Sequence, residues 1–362
     1  MKNCSRCEEL PQGEYDSGIL YISPPLGHTF EKVRNLFEQN NLTIRQPFDQ
    51  ILGIDLDQIT VSHLARKLEE QLEEFEIEDT KSLHNEDDQE PSVADLARMK
   101  PLSQFLGEAR GQWIGEAIRN DRFFSMFQPI VHLDDSDQFP IFGYECLLRA
   151  HQKDDGGIIS PARIFTDAKR ANMIFLLDRH ARITSIAEAA EHDITEKIFI
   201  NFLPTSIYDP DYCLRTTVEA LKDTPIENEQ IVFEVVETES IQKRDQLTEI
   251  LEYYREKSFG VALDDMGAGY SSLGLLKDLK PDYMKIDFEL VNGVSQDSYK
   301  ADIARSLIEI SHKHNIQVIA EGIESASDMK WFRENGADLG QGFFFARPDT
   351  PPPLPGPVAE GV

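Results

Sequence analysis

Short apolar runs and helical periods divide the chain into two stretches with different rhythms. In the first, Ile19, Leu20, Tyr21 and Ile22 form a run closed by Pro24-Pro25, which predicts a strand over 17–23. Val33, Leu36 and Phe37 fall on one face of a helix predicted over 30–38, and residues 47–56 are expected to return as a second strand. From Asp57 onward Leu64, Leu68, Leu72 and Phe75 recur at helical spacing with charges between them, the pattern of an amphipathic helix packed on its own domain. The acidic, proline-containing stretch His84–Ser92 reads as a loop or linker. Pro101–Asn120 reads as a helix that buries Phe105, Trp113 and Ile114.

Beyond Arg122 the rhythm changes. Runs rich in β-branched and aromatic residues predict strands over 124–131, 142–149, 197–203, 231–237, 260–265, 283–287, 316–321 and 341–346. Helical stretches lie between most of them, among them 161–190, 242–257 and 300–313. Strands alternating with helices predict an α/β protein with a (β/α)8, TIM-like barrel. Asp134–Gln138 is too short to hold a crossover helix, so the first two strands are expected to pair as an antiparallel hairpin. The expected organisation is a small α+β or helical module over 1–110, a modified barrel over 111–348, and a proline-rich, disordered tail over 349–362.

Composition narrows what such a barrel does. The 362 residues include 36 basic and 65 acidic ones, a net charge of −29, which disfavours nucleic-acid polymers and anionic membranes as partners. No apolar run is long enough to span a bilayer, and the first residues lack the apolar core of a secretory signal, so a cytoplasmic protein is expected. Cys4 and Cys7 form a C-x-x-C without a matching second pair, and read as reduced thiols rather than a zinc site; Cys146 and Cys213 read as buried small hydrophobes. His312 and His314 stand two apart on a helix and do not share a face.

Acidic and amide residues recur at or near the C-terminal ends of the expected strands: Glu145, Asn201, Glu234, Glu237, Asp264, Asp265, Asp287, Glu321 and Gln341. In a barrel those ends meet at one mouth, where crowded carboxylates repel one another unless divalent cations intervene. Oxygen donors with one amide suit Mg²⁺ or Mn²⁺ better than zinc. Adjacent Asp264 and Asp265 point in opposite directions on a regular strand, so a bend or bulge is needed to bring both to a metal. Lys285 is read either as a cation that orients or deprotonates a water, or as a plain ion-pair partner of Asp287. Gly267–Ser272 reads as a mobile loop beside the paired carboxylates.

Tyr144-Glu145-Cys146-Leu147-Leu148-Arg149 resembles the Glu-x-Leu-Leu-Arg signature of the EAL-domain cyclic di-GMP phosphodiesterases. The resemblance runs through Phe127–Val131, Ile200-Asn201-Phe202, Phe233–Glu237, Leu263–Ser272, Met284–Asp287, Ala320–Glu324 and Gln341–Phe345, in family order. It implies hydrolysis of cyclic di-GMP to linear 5′-pGpG with two Mg²⁺ or Mn²⁺ ions per site. Glu145, Asn201, Glu234 and Asp264 would hold one ion, with Asp264, Asp265 and Glu321 at the other. Lys285 and Gln341 would position or activate water, and Glu237 would tether the loop after Asp265. Gln128, Leu148, Arg149 and Asp287 would contact substrate. Three departures are visible: Cys146 replaces the alanine of the family name, Val236 a frequent threonine, and Met266 a frequent phenylalanine. None removes an implied ligand. The complete acidic set favours an enzyme over the alternative of an inactive cyclic di-GMP receptor or interaction module. A homodimer is compatible with the sequence, and the partner or signal of residues 1–110 is not written in any motif.

Overall fold

The computed structural model describes residues 15, 17–86, 90–134, 138–153, 156–203, 215–236, 244–267 and 272–356. Cys4, Cys7 and Cys213 lie outside them. Among the described residues, no helix is long and apolar enough to cross a membrane. Contacts divide the chain into two units: residues 1–121 with 162–177, and residues 122–161 with 178–362. The division falls 11 residues later than the expected end of the first module, and that unit also takes back a segment from inside the expected barrel.

In the first unit the chain runs β1 (Ile19–Ser23), α1 (Gly27–Gln39), β2 (Ile44–Phe48), β3 (Ile51–Asp55), α2 (Val61–Gln71), α3 (Glu74–Asp79), β4 (Lys81–Asn85), α4 (Val93–Leu96), β5 (Lys100–Pro101) and α5 (Leu102–Arg119). The sheet order is β2-β3-β1-β4-β5 with antiparallel neighbours, so the first four strands form the split β-α-β arrangement of ferredoxin-like domains. Alternation sends Leu20, Ile22, Leu52 and Ile54 to the face covered by Phe30, Val33, Phe37, Leu64 and Leu68. The single strand expected over 47–56 is a hairpin turning at Asp49-Gln50, and β4 occupies the start of the stretch expected to be loop. Phe75 lies in a separate short helix and is 57% exposed, so it does not extend the buried stripe of α2.

Glu76 ties α3 to α1. Its buried carboxylate accepts from Thr29 Oγ1 at 2.8 Å, Lys32 Nζ at 2.7 Å and the Glu73 N–H at 3.0 Å. Burial alone would raise this carboxyl, but the donors outweigh it and bring it from 4.5 to about 2.

The second unit holds β6 (Phe123–His132), β7 (Ile141–His151), β8 (Ile158–Ile159), β9 (Lys197–Phe202), β10 (Ile231–Val236), β11 (Gly260–Met266), β12 (Tyr283–Ile286), β13 (Gln317–Ala320) and β14 (Leu339–Gln341). The order β6-β14-β13-β12-β11-β10-β9-β7 closes through β6–β7, with β8 appended to β7. Strand β6 is antiparallel to both of its neighbours and β8 is antiparallel to β7, while the remaining barrel pairs run parallel. The barrel is therefore the expected modified (β/α)8 form with an antiparallel start. Helices α6 (Pro161–Arg170) and α7 (Ile174–Glu191) replace the single helix expected over 161–190, which breaks at Asn172 with φ of 55°. Helices α8 (Arg215–Lys222), α9 (Arg244–Glu256), α10 (Ser272–Leu279), α11 (Phe288–Val291), α12 (Ser298–Lys313) and α13 (Ala326–Glu334) follow between the later strands.

Two differences at the C-terminus have local causes. The last strand ends at Gln341 rather than spanning 341–346, because the Ile323 backbone crosses Gly342 so closely that a Cβ there would lie 2.2 Å from the Ile323 carbonyl oxygen. The rings of Phe344 and Phe345 instead meet Phe139 edge-on. The segment from Asp349 to Gly356 is held, not free. Asp349 bridges Phe127, Tyr144 donates to the Pro353 carbonyl at 3.3 Å, and the Gly356 N–H reaches the Phe345 carbonyl.

Helix α5 carries two glycines one turn apart on the face it shows to residues 170–173, within the same unit. A Cβ on Gly107 would stand 2.0 Å from the Arg170 carbonyl oxygen, and one on Gly111 2.1 Å from the Ala171 Cβ. Glycine to alanine inside a helix ordinarily stabilises by about 0.5–1 kcal/mol. Here Gly107→Ala should instead destabilise by about 1–3 kcal/mol through overpacking, seen as a lower urea midpoint for the first unfolding transition of the full chain. A raised midpoint would contradict this packing.

Candidate active site

The barrel interior is built in layers, and the sequence writes them two residues apart. Ile130, Phe199, Val232, Ala262, Tyr283, Ile319 and Leu339, one from each of seven strands, form a buried apolar layer against which Phe142 of β7 packs. Side chains two positions along a strand share its face. One step toward the strand C-termini from that floor therefore lie Asn201, Glu234, Asp264, Lys285, Glu321 and Gln341, and on the reversed strand β6 the corresponding step is Gln128. On β7 the register shifts between Ile130 and Val131, and Glu145 pairs opposite Gln128. The result is a polar ring resting on an apolar floor.

Lys285 stands at the centre of the ring, 1% exposed. Its Nζ lies 2.6 Å from Glu234 Oε1, 2.6 Å from Glu321 Oε1, 3.2 Å from Asp264 Oδ1 and 3.6 Å from Glu145 Oε2. Asp287 is not among these partners; its carboxylate caps α11 by accepting the Glu289 N–H at 2.8 Å. Gln341 Nε2 donates to Glu145 Oε2 at 2.6 Å and to Gln128 Oε1 at 3.1 Å, while Gln128 Nε2 reaches the Ala346 carbonyl at 3.3 Å. Asn201 Nδ2 donates to the other Glu145 oxygen at 3.1 Å.

Four carboxylates around one ammonium leave excess negative charge in a poorly hydrated place. Burial lifts Glu234 and Glu321 well above the carboxylate range; neighbouring acids add to the shift and Lys285 opposes it. Burial pulls Lys285 down, but Asp264, Glu145, Glu234 and Glu321 together outweigh it and keep the ammonium charged. Asp265 is pushed up to about 6, first by burial and then by the charges of Asp264 and Asp287.

The paired aspartates meet the geometric condition the sequence imposed. Ladder partners run Leu263↔Met284 and then Met266↔Ile286, so Asp264 and Asp265 together oppose the single residue Lys285. Asp265 has φ of 58°, an uncommon backbone state for a residue with a side chain, and its N–H bonds to Asp264 Oδ1 at 3.0 Å. This bulge turns the second carboxylate back toward the first. Asp264, Asp265 and Glu321 each offer an oxygen, all within 4.8 Å of one another.

The ring's chemistry suits a hard divalent cation. Its donors are carboxylates and amides, with neither thiol nor imidazole among them. Glu234 is fully buried; its Oε1 meets Lys285 Nζ at 2.6 Å, while its Oε2 accepts no hydrogen bond. Such orphaned buried acceptors are the atoms a cation would satisfy.

One expected site residue faces another way, and a second lies outside the described residues. Pairing sets Leu148 opposite Ser125, on the side where Ser125 bonds Glu188 and Ser185 of α7. Leu148 therefore faces the helix layer, and Leu147, opposite Met126, is the leucine on the Glu145 and Arg149 side. The signal was available, since strand period alone separates the two leucines. Glu237 lies outside the described residues, as does most of the loop 267–272. Arg149 is half-buried and donates to the Leu148 carbonyl at 2.9 Å.

Comparison with known proteins agrees with this geometry. The probable cyclic di-GMP phosphodiesterase PdeG of Escherichia coli is 31% identical over 244 residues, covering 65% of this chain and 46% of that protein. The blue light- and temperature-regulated antirepressor BluF of the same organism is 27% identical, covering 63% of this chain and 54% of its own length. The chain thus spans about half the length of these curated relatives. Among solved structures, a standalone EAL protein from Vibrio cholerae in its c-di-GMP-bound form matches with a TM-score of 0.59 and 34% identity, over 66% of this chain and 98% of that one. The FimX EAL domain of Pseudomonas aeruginosa bound to c-di-GMP matches with a TM-score of 0.60 and 26% identity, over 66% and 96%. The family model of the EAL domain matches residues 112–348, which include every member of the ring, and the chain belongs to that family.

Proposed function

We propose that this protein hydrolyses cyclic di-GMP to linear 5′-pGpG, using two Mg²⁺ or Mn²⁺ ions held at the barrel mouth. The observation that carries the reading is the intact ring of Glu145, Asn201, Glu234, Asp264 and Glu321 around Lys285, with Asp265 bulged back toward it. Relatives whose names include a phosphodiesterase, and neighbours holding c-di-GMP, support the substrate. In this reading Glu145, Asn201, Glu234 and Asp264 hold one ion, and Asp264, Asp265 and Glu321 the other. Bound there, such ions would supply Lewis acidity toward a phosphodiester and a more acidic water.

The chain's own residues account for the remaining tasks. The Asn201 amide is fixed by donating to Glu145, which leaves its oxygen as a donor for a cation. Gln341 gives its N–H₂ to Glu145 and Gln128, and its buried oxygen accepts no hydrogen bond, so that oxygen is set to receive an O–H of the attacking water. Lys285 Nζ, 2.6 Å from Glu234 and Glu321 and 3.2 Å from Asp264, is placed to orient the attacking water or take its proton and to counter developing negative charge. Water adds at phosphorus as one P–O3′ bond breaks, leaving a 5′-phosphate and a free 3′-hydroxyl. Arg149 offers a planar fork to the nonbridging phosphate oxygens, with Gln128 and Asp287 at the edge of the substrate space.

Glu145→Gln should retain the thermal unfolding midpoint within a few degrees and lower kcat by at least about 100-fold, measured as linear dinucleotide released in Mn²⁺; losses of 10–100-fold are usual for changes one shell further out. A near-normal rate would remove Glu145 from the site, and nucleotide binding without turnover in the unaltered protein would make it a receptor. Lys285→Ala should cut kcat far more than it raises KM, whereas equal changes would mark Lys285 as a binding residue. Chelation should abolish turnover and Mg²⁺ or Mn²⁺ restore it, while Ca²⁺ supports nucleotide binding but little hydrolysis because its longer, looser coordination displaces the water. Full activity in Ca²⁺ would refute the two-ion reading.

A further inference from the structure

Asn201 is supported unevenly. On its β10 side the ladder continues through Phe202↔Val235, but on its β7 side the pairing stops at Cys146↔Ile200, one residue short of it. The next backbone donor past the ladder is the Leu203 N–H. It bonds at 3.1 Å to Oδ1 of Asp178, which lies on α7 and is 3% exposed. The other Asp178 oxygen pairs with Arg182 Nη1 one turn along the helix. Arg182, 2% exposed, sends its Nε to Thr217 Oγ1 on α8 at 3.1 Å and lays its guanidinium 5.8 Å from the Phe202 ring centre.

A buried ion pair is a poor way to gain stability. Its desolvation penalty rivals its attraction, and apolar residues of similar volume often do as well or better. What an apolar pair cannot do is accept a backbone N–H at a fixed point. We propose that Asp178, braced by Arg182, is a positioning residue: it pins the exit of β9 so that the Asn201 side chain stays at the ring and completes the cation site. The idea rests on the metal-site reading above, and it assigns function to a carboxylate and a guanidinium that touch neither ion nor substrate.

The test is Mn²⁺ binding by the full chain, read as free Mn²⁺ by electron paramagnetic resonance, so that no turnover is needed. Asp178→Leu/Arg182→Met removes the acceptor and both charges together. Asp178→Asn/Arg182→Met removes the charges and keeps an oxygen for Leu203. The first pair should weaken Mn²⁺ binding by about 10-fold or more, the scale of a lost supporting contact, and the second should stay within about 3-fold of the unaltered protein. In an Asn201→Ala background the first pair should cost no more than about 2-fold, because the side chain it positions is gone. Should the leucine variant not fold, Asp178→Ser/Arg182→Met makes the same comparison, its hydroxyl ending one bond short of the Leu203 amide. Equal affinities for the acceptor-less and acceptor-bearing pairs, or losses that add fully to Asn201→Ala, would overturn the proposal. Absence of Mn²⁺ binding by the unaltered protein would instead overturn the metal-site reading on which it stands.

Discussion

One ammonium inside four carboxylates sets the terms for the rest of the barrel. At an effective dielectric near 20, two like charges about 4 Å apart repel by about 4 kcal/mol, and a single lysine cannot offset several such pairs at once. Lys285 touches Glu234, Glu321, Asp264 and Glu145, yet burial still drives Glu234 and Glu321 toward their protonated forms. A stable core does not need this arrangement, since apolar side chains fill the layer directly beneath it. The ring is a concentration of negative charge that Lys285 offsets only in part.

That electrostatic demand explains features that packing alone leaves odd. The bulge at Asp264-Asp265 spends ladder regularity and a positive φ on bringing a second acid to the mouth. Gln341 and Gln128 form an amide relay ending on the Ala346 carbonyl, which fixes which atom of each amide faces the ring. Gly342 admits the Ile323 backbone, whose N–H and carbonyl bond Gln341 O and Phe344 N, so the strand stops where its last side chain is needed.

Much of the barrel was legible because its layers are written twice over, first as an apolar residue and then as a polar one two positions on. Phe199 and Asn201, Val232 and Glu234, and Tyr283 and Lys285 all obey that rhythm, so both strands and site could be read from it. The failures share a cause. Phe343-Phe344-Phe345 has the composition of a strand, but a backbone crossing at Gly342, a tertiary event, ends the strand before them. Strand β4, Lys81–Asn85, is too polar to announce itself and is held by antiparallel pairing to β1. The Asp49-Gln50 turn lacks a glycine or proline to mark it. Leu147 and Leu148 share one motif, and only the strand period beneath it tells which of them faces the Glu145 side.

The departures from the family pattern can now be weighed by where they sit. Cys146 lies on the helix-facing side of β7, opposite Phe127, and is buried there with Ser185 and Glu188 as neighbours. Changing its size alters packing behind the ring and leaves every donor in place. Met266 is fully buried and rejoins the ladder opposite Ile286, immediately after the bulge, where a flexible side chain tolerates the irregular backbone. A fold of this kind serves named phosphodiesterases and a named antirepressor alike, so the barrel by itself decides little. Function follows from whether the polar ring is complete and held in register, and Cys146 and Met266 both lie outside it.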